Sequence, residues 1–268
     1  MTELQNKLLE ILTWFIKFLD DNGITYYAVG GTLLGAVRHK GFIPWDDDID
    51  IAIPRHDYDK LIKLFNKKRE HYVLETPYDN NKDYLYTYSK LYDTRTTLVE
   101  RQRKSLKRGV FIDIFPLDGA GNSYEEALSF HKKINKRNIL LIAKTCAIRK
   151  QRKWYKNLLI LIARLFPFYN LKKLSLKVDK SFSEKDYDSN LYISNFNGSY
   201  GSKEINEKRV FGTPKEYTFE NIKIKGPEYH NEYLTRIYGD WRELPPPEKR
   251  GVQHSFLMID LKTPYLDE

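Results

Sequence analysis

The sequence predicts an α+β fold, a mixed β-sheet flanked by helices and carrying a basic helical insertion. Three observations predict it. Short β-branched and aromatic runs alternate with helix-period stretches as far as residue 115. Tyr26 to Ile53 passes from a strand through a Gly-Gly turn and a short helix to a second strand. Residues 127–178 hold fourteen Lys or Arg and no Asp or Glu, whereas the chain as a whole is only +9, so the remainder is net acidic.

Residues 3 to 19 predict an amphipathic helix, with Leu4, Leu8, Leu12, Phe15 and Leu19 on one stripe widened by Ile11, Ile16 and Phe18. Asp20-Asp21-Asn22-Gly23 ends it, with Gly23 as the left-handed cap. Ile24 to Val29 is the first strand. Gly30, Gly31 and Thr32 then stand between strand and helix, where bare backbone and free N–H groups can seat a phosphate. Arg38 follows as a candidate phosphate clamp or structural pair, beside His39.

In Asp48-Ile49-Asp50-Ile51-Ala52-Ile53 the alternation sets Asp48 and Asp50 on one face and the isoleucines on the other. Adjacent carboxylates repel, and a fold that gathers them suits a cation between them. All-oxygen ligands favour Mg²⁺ or Mn²⁺ over zinc. In Gly109-Val110-Phe111-Ile112-Asp113-Ile114-Phe115 the valine and isoleucines share one face and Asp113 takes the other, which makes it the candidate third acid. Glycine turn and acids together indicate metal-assisted phosphoryl or nucleotidyl transfer.

The next elements are a helix at Arg55–Lys68 and strands at Tyr72–Glu75, Tyr84–Leu91 and Thr96–Val99. The alternation of Tyr84, Tyr86 and Tyr88 groups Lys90 with the tyrosines, as a substrate-facing residue or a solvated edge lysine. Arg101 to Arg108 is a basic loop near Asp113, suited to a bound phosphate or anionic acceptor or simply solvated. Residues 123 to 180 predict helices. Within them Lys153 to Phe168 has an apolar core too short to span a bilayer, with basic flanks and aromatics suited to a membrane surface or to a buried core helix. Tyr217–Phe219 and Ile222–Lys225 predict a hairpin, and Glu228–Tyr238 a helix stopped at Gly239.

Gly31-Thr32-Leu33-Leu34-Gly35, Arg38-His39 and Ile43-Pro44-Trp45-Asp46-Asp47-Asp48-Ile49-Asp50 resemble the core of the LicD family of phosphorylcholine transferases. Tyr238-Gly239-Asp240-Trp241 through Pro245-Pro246-Pro247-Glu248-Lys249-Arg250 resembles the C-terminal end of that family. The resemblance implies a nucleotidyltransferase-like catalytic domain over residues 1–268, with the insertion at about 123–180. It implies Mg²⁺-dependent transfer of phosphocholine from CDP-choline to a hydroxyl of a surface glycan such as a teichoic acid or lipopolysaccharide precursor, with release of CMP. Asp48, Asp50 and Asp113 would hold the metal, and Asp113 would also take the proton of the hydroxyl. Gly30, Gly31, Thr32, Arg38 and Lys90 would meet substrate, and Trp45 and Trp241 would form an aromatic box for choline.

Two other readings fit the residues. One changes the chemistry to nucleotidyl transfer onto a small alcohol or aminoglycoside. The other is a non-catalytic membrane- or glycan-binding scaffold built on residues 127–178. The expected partners are CDP-choline and an anionic or lipid-linked glycan, with peripheral membrane contact through residues 127–178. Nucleic acid is not expected, because the basic block carries no recognition motif. A single cysteine, Cys146, excludes an internal disulfide and a cysteine-based zinc site, and the N-terminus lacks a secretory pattern. The expected location is cytoplasmic, at the inner face of the membrane.

Overall fold

The computed structural model describes residues 1–148, 153–165, 170–251 and 256–265. Helix α1 (Glu3–Asp21) starts on a reciprocal cap, in which Thr2 Oγ1 accepts from the Gln5 N–H at 3.1 Å and Gln5 Oε1 accepts from the Thr2 N–H at 2.9 Å. Its stripe of Leu8, Ile11, Leu12, Phe15 and Leu19 is buried against the sheet. Gly23 follows at φ +57°, the left-handed conformation expected of it.

The first strand is shorter than its composition suggests, since only β1 (Tyr27–Ala28) enters the ladder. The chain turns at once into α2 (Gly30–Leu34), continued by a π-helical turn over Gly35–His39. Strand β2 (Asp50–Pro54), helix α3 (Arg55–Phe65) and strands β3 (Lys68–Arg69) and β4 (Tyr72–Glu75) follow. In place of two strands at Tyr84–Leu91 and Thr96–Val99 there is one bulged strand, β5 (Ser89–Glu100). Residues 84–88 stay outside it because the Tyr84 hydroxyl donates to the Tyr88 carbonyl at 2.6 Å and closes a loop. Strand β6 (Leu106–Gly121) is the long central one.

The predicted helical insertion is α4 (Tyr124–Thr145), α5 (Trp154–Leu165) and α6 (Leu171–Phe182). After it come β7 (Tyr192–Ser194), β8 (Ile205–Glu207), α7 (Lys208–Phe211), the hairpin β9 (Lys215–Phe219) and β10 (Ile222–Gly226), α8 (His230–Tyr238) and β11 (Phe256–Asp260). The main sheet runs β1-β2-β6-β5-β4-β3, with β11 added to β5 and β7-β8 to the far end of β6. Only the β2–β6 pair is parallel among the described strands. This pair sets the site.

Two apolar clusters hold the chain. The larger joins the sheet to α1, α3 and α8, and the smaller packs Phe130, Ile134, Leu141, Leu174, Val178 and Phe182 within the insertion. Arg55 ties the two layers, meeting Asp118 of β6 at 2.6 Å and Asp179 of α6 at 3.2 Å. Of the two readings of residues 153–168, the buried core helix is not what the structure shows over α5. Leu158, Leu159, Leu161, Ile162 and Leu165 are exposed, as are Trp154 and Tyr155, and only Ile160 is buried. Phe166, Pro167 and Phe168 lie outside the described residues. No helix among the described residues is long and apolar enough to cross a membrane.

Candidate active site

Asp50 opens β2 and Asp113 lies in β6, and the parallel register makes them Cα partners. Paired residues on neighbouring strands direct their side chains to the same face of a sheet. With Asp46 and Asp48 from the preceding loop they line one cavity of about 750 Å³. One oxygen each from Asp46, Asp47 and Asp48 lies within 4.8 Å of the others. Gln5 at the start of α1 anchors that loop, its Nε2 donating to the carbonyls of Asp46 (3.0 Å) and Ile43 (3.4 Å).

The electrostatics follow from this crowding. Burial, then the charges of Asp48, Asp113 and Asp46, hold the Asp50 carboxyl well above its usual range. Burial likewise pushes Asp113 up to about 6, against the opposing pull of Lys90. Glu204 and, at the rim, Asp240 and Glu243 add further carboxylates, and Arg38 is the one cation among the described residues lining the cavity. Such a site calls for positive charge.

The two glycines make room for the acids. Gly30 stands at φ +55°, and a Cβ there would meet Asp50 Oδ2 at 3.2 Å; a Cβ on Gly31 would meet Asp46 Oδ2 at 2.6 Å. The backbone N–H of Gly30 is already donated to Tyr233 Oη at 3.1 Å, so it is not the open phosphate contact the turn suggested.

A family profile described as "LicD/FKTN/FKRP, nucleotidyltransferase domain" matches residues 23–145. Over 261 residues the chain is 33% identical to the lipopolysaccharide cholinephosphotransferase LicD of Haemophilus influenzae, a likeness covering 95% of this chain and 96% of that one. The chain belongs to the LicD family of transferases. Shorter likenesses join this LicD-family chain to the human ribitol 5-phosphate transferase FKRP, 42% identical over 50 residues (19% of this chain, 10% of that one), and to mannosyltransferase regulator 4 of Saccharomyces cerevisiae, 30% over 112 residues (42% and 9%).

Of the residues expected to meet substrate, Thr32 and Lys90 stand behind the wall of the LicD-family cavity, while Arg38 lines it. Thr32 Oγ1 accepts from the Asp50 N–H at 2.9 Å and so fixes the acid strand; its side chain is buried and does not line the cavity. Arg38 donates to the carbonyls of Trp241 (2.7 Å) and Glu243 (3.2 Å) and to His39 Nε2 (3.0 Å), a structural pairing with the C-terminal wall rather than with the acids. Lys90 is neither a solvated edge lysine nor open to a ligand. It is 2% exposed, with Nζ 2.8 Å from Asp113 and 3.4 Å from Glu100, and lies over the rings of Phe111 (3.5 Å) and Tyr86 (4.6 Å). Burial opposes its charge, but the two carboxylates outweigh it and raise its pKa.

Trp45 and Trp241 both line the cavity. Trp241 is buried, its indole N–H donating to Asn231 Oδ1 at 3.2 Å, and Trp45 already has the Arg250 guanidinium 5.7 Å from its ring centre. The far C-terminal motif thus forms one wall of the acid pocket. Beside it stand Tyr233 and Tyr238, on the predicted helix that ends in this motif, and two residues without a sequence signal, Tyr200 and Glu204. Tyr200 donates to the Tyr238 hydroxyl at 3.0 Å with ring centres 5.2 Å apart, and Glu204 is pushed up to about 8 by burial. Tyr200 and Glu204 come from a loop-rich stretch with no periodicity to read.

Proposed function

We propose that this protein transfers phosphocholine from CDP-choline to a hydroxyl of a glycan precursor, releasing CMP. The end-to-end likeness to a lipopolysaccharide cholinephosphotransferase supports the phosphocholine group and the glycan acceptor. The register of Asp50 against Asp113 supports the chemistry, because it gathers carboxylates from separate parts of the chain in one cavity. The fold is read as nucleotidyltransferase-like.

The donor set fits a hard divalent ion. It is all oxygen: Asp46, Asp48, Asp50 and Asp113 line one cavity, and the close group within 4.8 Å is Asp46–Asp48, which does not include Asp50 or Asp113. Mg²⁺ or Mn²⁺ would be held by Asp48, Asp50 and Asp113, with Asp46 beside them, and when bound would neutralise a diphosphate. The protein's own groups do the rest. Asp113, held by Lys90, takes the proton of the acceptor hydroxyl as its oxygen bonds to the choline-side phosphorus. The bond from that phosphorus to the bridging oxygen breaks, and CMP leaves with the electron pair. Thr32 and Gln5 keep the acid loop and strand in place. Tyr200, Tyr238, Trp241 and the carboxyl of Glu204 face the cationic head of the donor.

The exposed apolar face of α5 and the acid-free basic residues around it favour peripheral contact with an anionic membrane on the cytoplasmic side. The test of the whole reading is CMP release from CDP-choline, with a phosphate-bearing glycan as acceptor, with Mg²⁺ and with EDTA. Wild type should require the ion, and Asp113→Ala should lose the reaction. Equal CMP yield from both proteins would refute the assignment, and pyrophosphate release from a nucleoside triphosphate would establish nucleotidyl transfer instead.

A further inference from the structure

Next to the acid cavity lies a second, larger one of about 880 Å³, and its charge is of the opposite sign. Its floor and rim come from the loop at residues 80–88, the loop at residues 101–104, the C-terminal end of α4 and the start of α6. Arg101, Arg103, Lys104, Lys172 and Lys173 line it, with Lys82 at the edge. Among the described residues its lining has one carboxylate, Asp83, and Lys104 already holds that at 2.6 Å.

The other five of these cations form no ion pair among the described residues. Elsewhere in the molecule Arg55, Arg95, Arg108 and Arg209 each close on a carboxylate. Gathering like charges in a concave groove is unfavourable unless an anion joins them, and the low-dielectric walls of a groove strengthen that demand. Lys172 Nζ donates to the Tyr84 carbonyl at 3.2 Å and Arg103 Nη1 to the Lys144 carbonyl at 3.4 Å, but neither meets a countercharge among the described residues, and arginine and lysine are the usual partners of phosphate.

The groove communicates with the acid site. Tyr88 and Asn197 line both cavities, Asn197 bonded to Thr87 and Tyr88 packed on Phe115 with ring centres 4.6 Å apart. A ligand anchored by its phosphates among the cations would reach the carboxylates past these two side chains. The acid cavity suits a divalent ion and a cationic head, and the basic groove suits a polyanion.

We propose that this groove seats the acceptor by binding phosphate groups that the acceptor glycan carries, and directs its hydroxyl past Tyr88 and Asn197 to Asp113. The word acceptor rests on the transferase reading above; phosphate binding does not. The substrate class is therefore a phosphorylated saccharide or polyol, free or carried on a lipid.

The test measures binding in EDTA without donor, so its outcome is independent of whether CMP is ever released. The probes are a short oligo(glycerol phosphate), neutral dextran, CMP, and vesicles of phosphatidylglycerol. Arg101→Glu/Lys173→Glu reverses two exposed groove charges, and Lys63→Glu/Lys68→Glu reverses two exposed charges of α3 and β3 that lie outside the groove and outside residues 127–178. The oligo(glycerol phosphate) or the vesicles should bind wild type, the dextran should not, and the groove variant should lose about tenfold or more, as expected for lost charge-assisted contacts. The Lys63/Lys68 variant should stay near wild type. Loss on the soluble probe identifies a phosphate carried by the glycan, and loss on the vesicles alone identifies a lipid-borne one. Equal loss in both variants, no phosphate binding in either arm, or a groove defect seen with CMP only would overturn the proposal. Circular dichroism confirms that each variant is folded.

Discussion

Lys90 Nζ lies 2.8 Å from Asp113 Oδ1, and the two residues are Cα partners across β5 and β6. The ammonium is enclosed by Glu100 and by the rings of Phe111 and Tyr86, so the third acid of the site has a buried counter-charge. Removing one member of a buried pair leaves the other uncompensated, at about 3–5 kcal/mol. Lys90→Met should therefore lower the unfolding free energy by that order and reduce CMP release. Lys90→Met/Asp113→Asn should recover most of the stability and none of the activity. Urea titration of the single and double variants measures the coupling, and additive losses would show that the pair is not coupled.

Asp50 predicts the opposite sign for stability. Its carboxyl is raised by burial and by three neighbouring acids, so its charge is unfavourable without an ion. Asp50→Asn should melt at a higher temperature than wild type in EDTA and fall at least about a hundredfold in CMP release. Wild type should gain stability with MgCl₂, about 2.7 kcal/mol at a hundred times the dissociation constant, and the variant much less. Differential scanning calorimetry with and without the ion reads both effects.

How much of this was legible in the sequence depends on range. That Asp50 and Asp113 share one face of the sheet was legible from the period of two within each strand, whereas Asp48, expected on the same strand as Asp50, lies in the loop ahead of β2. That Lys90 faces Asp113 was not, because the register of β5 on β6 is set by a bulge between Asp93 and Leu98 that no local pattern marks. Thr32 and Arg38 were recognised as site residues, but their bonds run to Asp50 and Trp241, 18 and 203 residues away. The helix bearing Tyr233 and Tyr238 was legible, but not that Tyr233 meets the Gly30 N–H 203 residues away, and Tyr200 and Glu204 sit in a loop-rich stretch with no local pattern.

Gly30 and Gly31 should respond differently to alanine. At φ +55° a side chain on Gly30 is strained by about 1–2 kcal/mol, and its Cβ meets Asp50. Gly30→Ala should lose both stability and activity. Gly31→Ala meets only the carboxylate of Asp46, so it should lower kcat/KM with a smaller change in Tm. Equal Tm losses would mean that the contact with Asp46 matters as much as the backbone strain.

The exposed face of α5 predicts membrane affinity. Trp154 is 75% and Leu165 77% exposed, and Leu159 stands with them. Leu159→Glu/Leu165→Glu removes apolar area from a bilayer contact and adds charge repelled by anionic lipid, so partition into phosphatidylglycerol vesicles should fall about tenfold or more. Co-sedimentation checks it. Unchanged partition would assign α5 a different partner, and a concentration-dependent dimer in light scattering would identify a second copy.

Glu204 predicts a pH dependence whose sign can be worked out. Burial raises its carboxyl from 4.5 to about 8, with the Tyr200 backbone N–H pulling the other way. Between those values the native state holds a proton that the unfolded state has released, so stability falls as pH rises through the window, by about 1.4 kcal/mol per unit at most. The contribution is complete below about pH 4.5 and gone above about pH 8. Glu204→Gln keeps the neutral shape at every pH and should remove this slope, so that the variant overtakes wild type at the alkaline end in EDTA. A cationic donor head beside Glu204 favours the ionised form, so CDP-choline should shift the wild-type midpoint towards lower pH. In the variant KM for the donor should rise more than kcat falls. Urea midpoints across the window, with and without donor, separate a carboxyl that only packs the tyrosines from one that meets the ligand's charge, because only the second makes the slope depend on the donor.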